Sequence, residues 1–320
     1  MRNFLIDTDT ASDDAVAILM ALSAPDVNVL ALTTVAGNVG VEQATKNALY
    51  TAEIAGSGVP VHRGANAPLE RVHHDAHWFH GRDGFGDCFY PEPRRTAEAE
   101  GAVEALIRLA RRNPGLTLVT LGPLTNIALA LALDESFADH VGRCVIMGGA
   151  PCCEGNVTPA AEYNIWVDPE AARKVFRSRL QLEMVGWHVS RGASVLSEAD
   201  IADILALGTA KARFAIECNG RAKEAYFVQT GEAGLSLADP TAMAVALDRS
   251  LGLRWSRHRV EIETQSETTR GMTVVDRLNV AHDDNNKLAW RDALADGHKA
   301  DICWTFDSAG FKAMLKRALA

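Results

Sequence analysis

The chain has 320 residues, 48% hydrophobic and 23% charged, an ordinary globular composition with enough length to bury a sizeable core. Acidic residues outnumber basic ones by 41 to 32, for a formal charge of −9, and neither sign gathers into a long block, which argues against a nucleic-acid groove or a polybasic membrane surface. The longest apolar run, over 15–22, is far too short to span a bilayer, and Asp7 interrupts the N-terminal apolar stretch before a signal-peptide core forms. A cytoplasmic protein is therefore expected, with Cys88, Cys144, Cys152, Cys153, Cys218 and Cys303 as reduced thiols, since their spacing does not repeat.

Short apolar runs alternate with helical patterns through the first 190 residues, as βαβ units around a parallel sheet require. A strand over 4–6 leads through a polar loop over 7–14 into a helix over 15–22 that stops before Pro25. A strand over 27–35, a helix over 41–55 and a strand over 59–61 follow. A long connection over 64–93 comes next, of the length that functional loops have. Beyond it lie a helix over 97–112, a strand over 116–121 and a strand over 141–147 ending at Gly148-Gly149. Asp168-Pro169-Glu170 opens a further helix with a cap, a first-turn proline and an acid at the positive end. After a strand over 180–185, Ser197 to Asp200 reads as a capping box for a helical stretch to about 228 with a break near Gly208. The C-terminal third is less regular, and Trp166, Trp255, Trp290 and Trp304 read as core. The fold class is α/β: one doubly wound domain over 1–320, with a largely parallel central sheet flanked by helices.

Ligands of such sheets collect at the carboxyl ends of the strands. Here those ends carry Asp7, Asp9, Asp13 and Asp14, then Gly37-Asn38, then the 122–126 turn, then a loop holding Glu154, Asn156, Glu162 and Asn164. Four aspartates within eight residues repel one another unless a cation or protons offset them. Carboxylates without cysteine or histidine in the loop suit Ca²⁺ or Mg²⁺ rather than zinc. A solvated acidic turn capping the next helix is the plainer reading, but capping accounts for one aspartate and not four.

The segment Ile6-Asp7-Thr8-Asp9-Thr10-Ala11-Ser12-Asp13-Asp14-Ala15 resembles the D-x-D-x-G-x-D-D-A signature of the inosine-uridine-type nucleoside hydrolases. Thr33 to Asn38, Leu121 to Ala128, Met147-Gly148-Gly149, Glu154-Gly155-Asn156, Ala161 to Asn164, Asp168 to Ala172, Ala238-Asp239-Pro240 and Gly271 to Asp276 are similar to the later blocks of that family, in the same order. The resemblance spans essentially the whole chain. It implies hydrolysis of the N-glycosidic bond of a ribonucleoside on a Ca²⁺ ion, by a homodimer or homotetramer. It further implies Asp9, Asp14 and Asp239 as side-chain ligands and the backbone carbonyl of Leu121 as another, with Asp9 also the general base. Asp9 and Asp13 would stabilise charge at the anomeric carbon, and Asp13, Asn38, Asn156, Glu162 and Asn164 would hold the ribose hydroxyls.

The chain departs from the family at several positions. Many members place a histidine before the late metal aspartate, where this chain has Ala238. Leaving-group activation must then come from His80 or from stacking on Trp78 and Trp187, which tilts the expectation towards purine or broad specificity. The glycines at 81, 84 and 86 make the 64–93 segment a candidate lid. The histidines of this loop, His73, His74, His77 and His80, admit a zinc site, with His73 and His74 plainly solvated as the blander reading, and Cys152 and Cys153 admit a place at the pocket rim. Ala11 replaces a glycine, which matters only if a positive φ is needed there. His188 stands where an acid is more usual and reads as a satisfied core or cleft residue; Asp283-Asp284 reads as a surface turn. Two other classes stay open. A haloacid-dehalogenase-type phosphatase would use Asp7 as nucleophile and Asp9 as acid, and a non-catalytic Ca²⁺-dependent nucleoside or sugar binder would need no leaving-group machinery.

Overall fold

A computed structural model describes residues 1–286, 288–290 and 299–320. Strand β1 (Arg2–Thr8) runs through a tight turn into helix α1 (Ser12–Ser23), followed by β2 (Val27–Thr34), α2 (Val41–Ile54) and β3 (Val61–Arg63). The one-turn helix α3 (His77–His80) lies in the long connection, and α4 (Ala102–Arg112), β4 (Leu116–Thr120), α5 (Thr125–Leu133), α6 (Phe137–His140) and β5 (Val141–Met147) complete the first half. Then come α7 (Tyr163–Val167), α8 (Pro169–Phe176), β6 (Leu182–Val185), α9 (Glu198–Leu205), α10 (Ala210–Glu217), α11 (Gly220–Thr230) and α12 (Ala238–Leu247). The chain closes with β7 (Gly252–His258), the hairpin-paired β8 (Val260–Ile262) and β9 (Thr273–Val275), β10 (Ala300–Phe306) and α13 (Ser308–Leu319).

The eight-stranded sheet has the order β3-β2-β1-β4-β5-β6-β10-β7. It is parallel throughout except that β7 runs antiparallel to β10. Both faces are covered, and side-chain alternation sorts the strands between two cores. Phe4, Ile6, Val119 and Val145 pack with α1, α12 and α13 on one face. Leu5, Leu118, Cys144 and Ile146 pack with α4, α5 and α8 on the other. Strand order reverses between β1 and β4, so the loops after these two strands part and leave a crevice at their carboxyl ends.

Local signals explain most boundaries. Helix α1 starts at Ser12, earlier than the apolar run, because the Asp14 carboxylate accepts the Ala11 amide proton at 2.9 Å and closes the first turn. Ala11 itself has φ −109°, extended backbone that needs no glycine. Asp168 caps α8 through the Ala171 amide, with Pro169 at the first turn. The helical stretch expected over 197–228 is three helices: Gly208 breaks it at φ +68°, and so does Asn219, whose side-chain amide donates to the carbonyls of Ser12 and Ala215. The expected start of α4 at 97 gives way to a bridge between Glu98 and His62, so the helix begins at Ala102.

The four tryptophans read as core are only half-buried. Three of them take a guanidinium on the ring: Arg270 over Trp166, Arg249 over Trp255 and Arg277 over Trp304, at 4.1 to 4.4 Å from the centroid. An indole face satisfied by a cation is stable at the edge of a core, which is why these rings stop short of the interior. The six cysteines are all free thiols. Asp283 and Asp284 lie in an exposed turn, as read. Among the described residues no helix is long and apolar enough to cross a membrane.

Candidate active site

The four N-terminal aspartates separate into different jobs. Asp7 accepts from Thr33 Oγ1 at 2.5 Å and from Asn126 Nδ2 at 2.8 Å, and Asn126 also donates to the Thr34 carbonyl. Burial pushes this carboxyl up to about 7, and its bonds brace β1 against β2 and α5 rather than facing the cleft. A nucleophilic Asp7, as a phosphatase would require, has no access to substrate in this position. Asp9 accepts the Asn38 amide proton at 2.6 Å through one oxygen, while the other, Oδ1, is buried with no protein partner. Glycine is required on both sides of it: a Cβ on Gly37 would lie 2.0 Å from Asp9 Oδ2, and one on Gly122 would lie 2.8 Å from Oδ1.

Helix α12 packs against α1 and brings Asp239 beside the first turn of that helix. Carboxylate oxygens of Asp13, Asp14 and Asp239 lie within 4.8 Å of one another. Asp14 also accepts from Thr8 Oγ1 at 2.5 Å. Burial, and then the neighbouring carboxylates, hold Asp9 and Asp239 well above the usual range and raise Asp14 to about 6. A solvated turn is excluded, because Asp7, Asp9, Asp14 and Asp239 are all buried. Unpaired carboxylates in such a place destabilise the fold unless protons or a cation join them, and the oxygen-only donor set with an orphaned Asp9 Oδ1 fits a hard cation.

Above the acids lies a cavity whose lining includes Asp13, Asp239, Asn38, Leu121, Asn156, Glu162 and Asn164. Asp9 and Asp14 stand behind that lining. Glu162 caps α7, accepting the amide protons of Asn164 at 2.9 Å and Gly149 at 2.8 Å, and burial raises it to about 7. Asn164 donates its side-chain amide to the carbonyl of Leu121 at 2.8 Å and to that of Met147 at 3.3 Å, tying the ends of β4 and β5 together. Asn156 accepts the Tyr163 amide proton and receives Gln229 on its own carbonyl.

The lining also carries an aromatic set, Trp78, Phe79, His80, Trp187 and Tyr226, and includes Ala238. His80 is buried with Nδ1 at 2.9 Å from Ser12 Oγ and 3.9 Å from Asp13 Oδ1; burial lowers its pKa, against the pull of Asp13. Trp78 is about half exposed at the mouth. Trp187 is buried and donates its indole N–H to the Glu154 carbonyl at 2.8 Å.

The zinc reading of the loop histidines fails, because they disperse. His73 contacts the Gly37 carbonyl, His74 lies against Trp166, His77 pairs with Asp75 and His80 turns to Ser12. His73 is half-buried on the Gly37 carbonyl, whereas His74 is exposed, as the solvated reading had it. His188 is only half satisfied: one nitrogen bonds the Cys303 carbonyl, while Nδ1 is buried without a partner. Sequence reasoning missed Ser12, Tyr163, Tyr226 and Gln229. Ser12 was readable as a polar residue inside the aspartate motif; Tyr226 and Gln229 sit three apart on one face of α11, a spacing that also describes an ordinary surface helix.

The family model described as inosine-uridine preferring nucleoside hydrolase matches residues 4–313. The chain belongs to the inosine-uridine preferring nucleoside hydrolase family. Among its relatives, uridine nucleosidase 1 of Arabidopsis thaliana is 36% identical over 99% of this chain and 93% of that protein. Among solved structures, a plant nucleoside hydrolase has a TM-score of 0.88 at 32% identity, covering 99% of this chain and 98% of its own. A purine-preferring ribonucleoside hydrolase from Gardnerella vaginalis also has a TM-score of 0.88, at 29% identity over 99% and 98%. This nucleoside hydrolase is therefore an enzyme, neither a phosphatase nor a passive binder.

Proposed function

We propose that this nucleoside hydrolase cleaves the N-glycosidic bond of ribonucleosides at a Ca²⁺ site held by Asp9, Asp14, Asp239 and the Leu121 carbonyl, with purine or broad base preference. The observation that carries the reading is the buried, partnerless Asp9 Oδ1 beside three converging carboxylates under an amide-lined cavity. When bound, the ion neutralises the carboxylates and acts as a Lewis acid towards oxygen.

The protein's own groups supply the remainder. Asp9, fixed through Oδ2 by the Asn38 amide, presents Oδ1 to the site, where a lone pair not given to the ion would take the proton of the attacking water. Positive charge developing on the ribose is stabilised by Asp9 and Asp13. Asn38, Asn156, Glu162 and Asn164 hold the sugar hydroxyls with Asp13; because the Asn164 amide protons are committed to Leu121 and Met147, that residue serves the ribose through its Oδ1.

With Ala238 where a proton donor would stand, the departing base is activated by its surroundings. Trp187 has its N–H committed to Glu154, so it offers ring surface and not a proton. Stacking between Trp187 and Trp78, with His80 at the base, favours the larger π-face of a purine. The names of the relatives include both uridine and purine preferences, which is consistent with a specificity set on this aromatic side. The chain reads as one catalytic domain over 1–320, cytoplasmic and assembling as a homodimer or homotetramer.

The deciding experiment is ribose release from a panel of purine, pyrimidine and modified ribonucleosides with Ca²⁺ added, using Asp9→Asn as blank. Purine-led release that falls by at least several hundred-fold in a folded Asp9→Asn protein is the expected result. An active Asp9→Asn removes the base assignment, and rescue of chelated enzyme by zinc alone removes the oxygen-donor argument.

A further inference from the structure

Behind the aromatic side of the cavity lies a charged network that the reaction does not touch. Arg191 follows the 3₁₀ turn carrying Trp187, and its guanidinium carbon sits 4.8 Å from the centre of the Trp187 ring. One of its terminal nitrogens pairs with Glu154 and the other lies 3.1 Å from Glu232. Glu232 accepts the Tyr226 hydroxyl proton on its second oxygen, and the Glu154 carbonyl accepts the Trp187 N–H. Trp187 and Tyr226 both line the cavity, whereas Arg191 is not part of its lining.

Three stretches far apart in sequence, the β5–α7 loop, the turn after β6 and the end of α11, thus meet on one side chain. Their local structure is weak, since two short 3₁₀ turns make up 187–194 and residue 231 is a left-handed glycine. A planar fork that binds two carboxylates while covering an indole suits such a junction, and a lysine cannot reproduce it.

We infer that Arg191 is a positioning residue for the nucleobase: it fixes the Trp187 ring and, through Glu232, the Tyr226 ring, and so sets base affinity without touching substrate. This rests on the nucleoside-hydrolysis reading above. Without Arg191, the Glu154 and Glu232 carboxylates lose the cation they share and the Trp187 ring loses its cationic cover, while Asp13, Asn38, Glu162 and Asn164, which hold the sugar, have no contact with this network.

The test compares Arg191→Ala and Arg191→Lys with the unaltered enzyme. KM for purine ribonucleosides is expected to rise about tenfold in Arg191→Ala, the scale of a lost cation–π contact, with kcat changing less. The inhibition constant of free ribose should stay within about twofold, and Arg191→Lys should fall between the two. A second readout needs no turnover: quenching of indole emission by a free purine base, with Trp187→Phe as reference, should weaken in Arg191→Ala. A ribose inhibition constant that moves in parallel with KM, or unchanged purine KM and quenching in a folded variant, overturns the inference. If the unaltered enzyme releases no ribose from any nucleoside, the functional reading fails instead, and the quenching titration still decides Arg191.

Discussion

Individual residues at this site are held by contacts that leave little room. Gly37 shows it best, since a methyl group there would overlap Asp9 Oδ2. Gly37→Ala is expected to lower turnover by about a hundredfold or more with an unchanged circular dichroism spectrum, because an ångström of displacement at a catalytic group has that effect; retention of a tenth of the activity would count against Asp9 as the reacting carboxylate. His188 is mostly buried, with its Nδ1 enclosed and unpartnered, and desolvation lowers its pKa below 6.5. The unfolded chain binds this proton near 6.5 and the folded chain only at lower pH, so stability falls as pH drops below 6.5 and levels off once the folded form is protonated. In thermal melts at pH 7 and pH 5, His188→Gln should show a smaller loss of Tm than the unaltered enzyme; an equal loss removes His188 from the acid sensitivity. Much of this scale was readable beforehand: Asp9, Asp13, Asp14, Asn38, Glu162 and Asn164 follow strand ends in a motif, whereas Ser12–His80 and Arg191–Glu232 join segments whose separation carries no periodic signal. Asp7 was grouped with its neighbours because a sequence shows the spacing of charges and not which face of the strand end each one takes.

Within the long connection over 64–93, the turn over 83–89 is gathered on a single carboxylate. Asp83 accepts amide protons from Phe85, Asp87 and Phe89, and Asn47 of α2 donates to the carbonyls of Asp83 and Thr10. The expected lid is thus stitched to α2 and to the aspartate turn. Removing the carboxylate in Asp83→Ala should expose 81–89 to limited proteolysis and raise KM roughly tenfold, while Tm shifts by only a few degrees, as for other local turn losses. Cleavage at the unaltered rate would show that the glycines hold this shape unaided. Helices with strong caps, such as α8 and α9, were legible to within a residue or two because capping is a local interaction. The break at Asn219 was not, since it is made by a hydrogen bond to Ser12, two hundred residues earlier. Trp166, Trp255 and Trp304, read as core, stand at its edge for a related reason: the arginines that cover them arrive from other turns of the chain.

Taken whole, the molecule concentrates like charge at the reversal of its strand order, so an ion bound there would be linked to folding. Ca²⁺ at a hundredfold excess over its Kd should add about 2.7 kcal/mol of stability, a few degrees in Tm for a chain of this size. The gain should be larger at pH 8 than at pH 5, because Asp14, raised to about 6, and the still more strongly shifted Asp9 and Asp239 hold protons in acid that an incoming cation must displace. A Tm indifferent to chelator and Ca²⁺ at pH 8 would separate the carboxylates from any ion. The doubly wound architecture was legible at this scale because alternation of strands and helices is a global pattern; the antiparallel β7 was not, as its partner β10 lies beyond an irregular stretch. The two sides of the cleft also descend from different parts of the chain. The groups proposed for the sugar come from the ends of β1, β2 and β4, the first turn of α1, the β5–α7 loop and the start of α7, while the aromatic lining comes from 78–80, 187 and 226. Transplanting those lining segments between relatives of opposite base taste should therefore carry the preference across while the recipient keeps its own sugar chemistry, a division of inheritance through which one scaffold can diversify its diet without relearning how to break the bond.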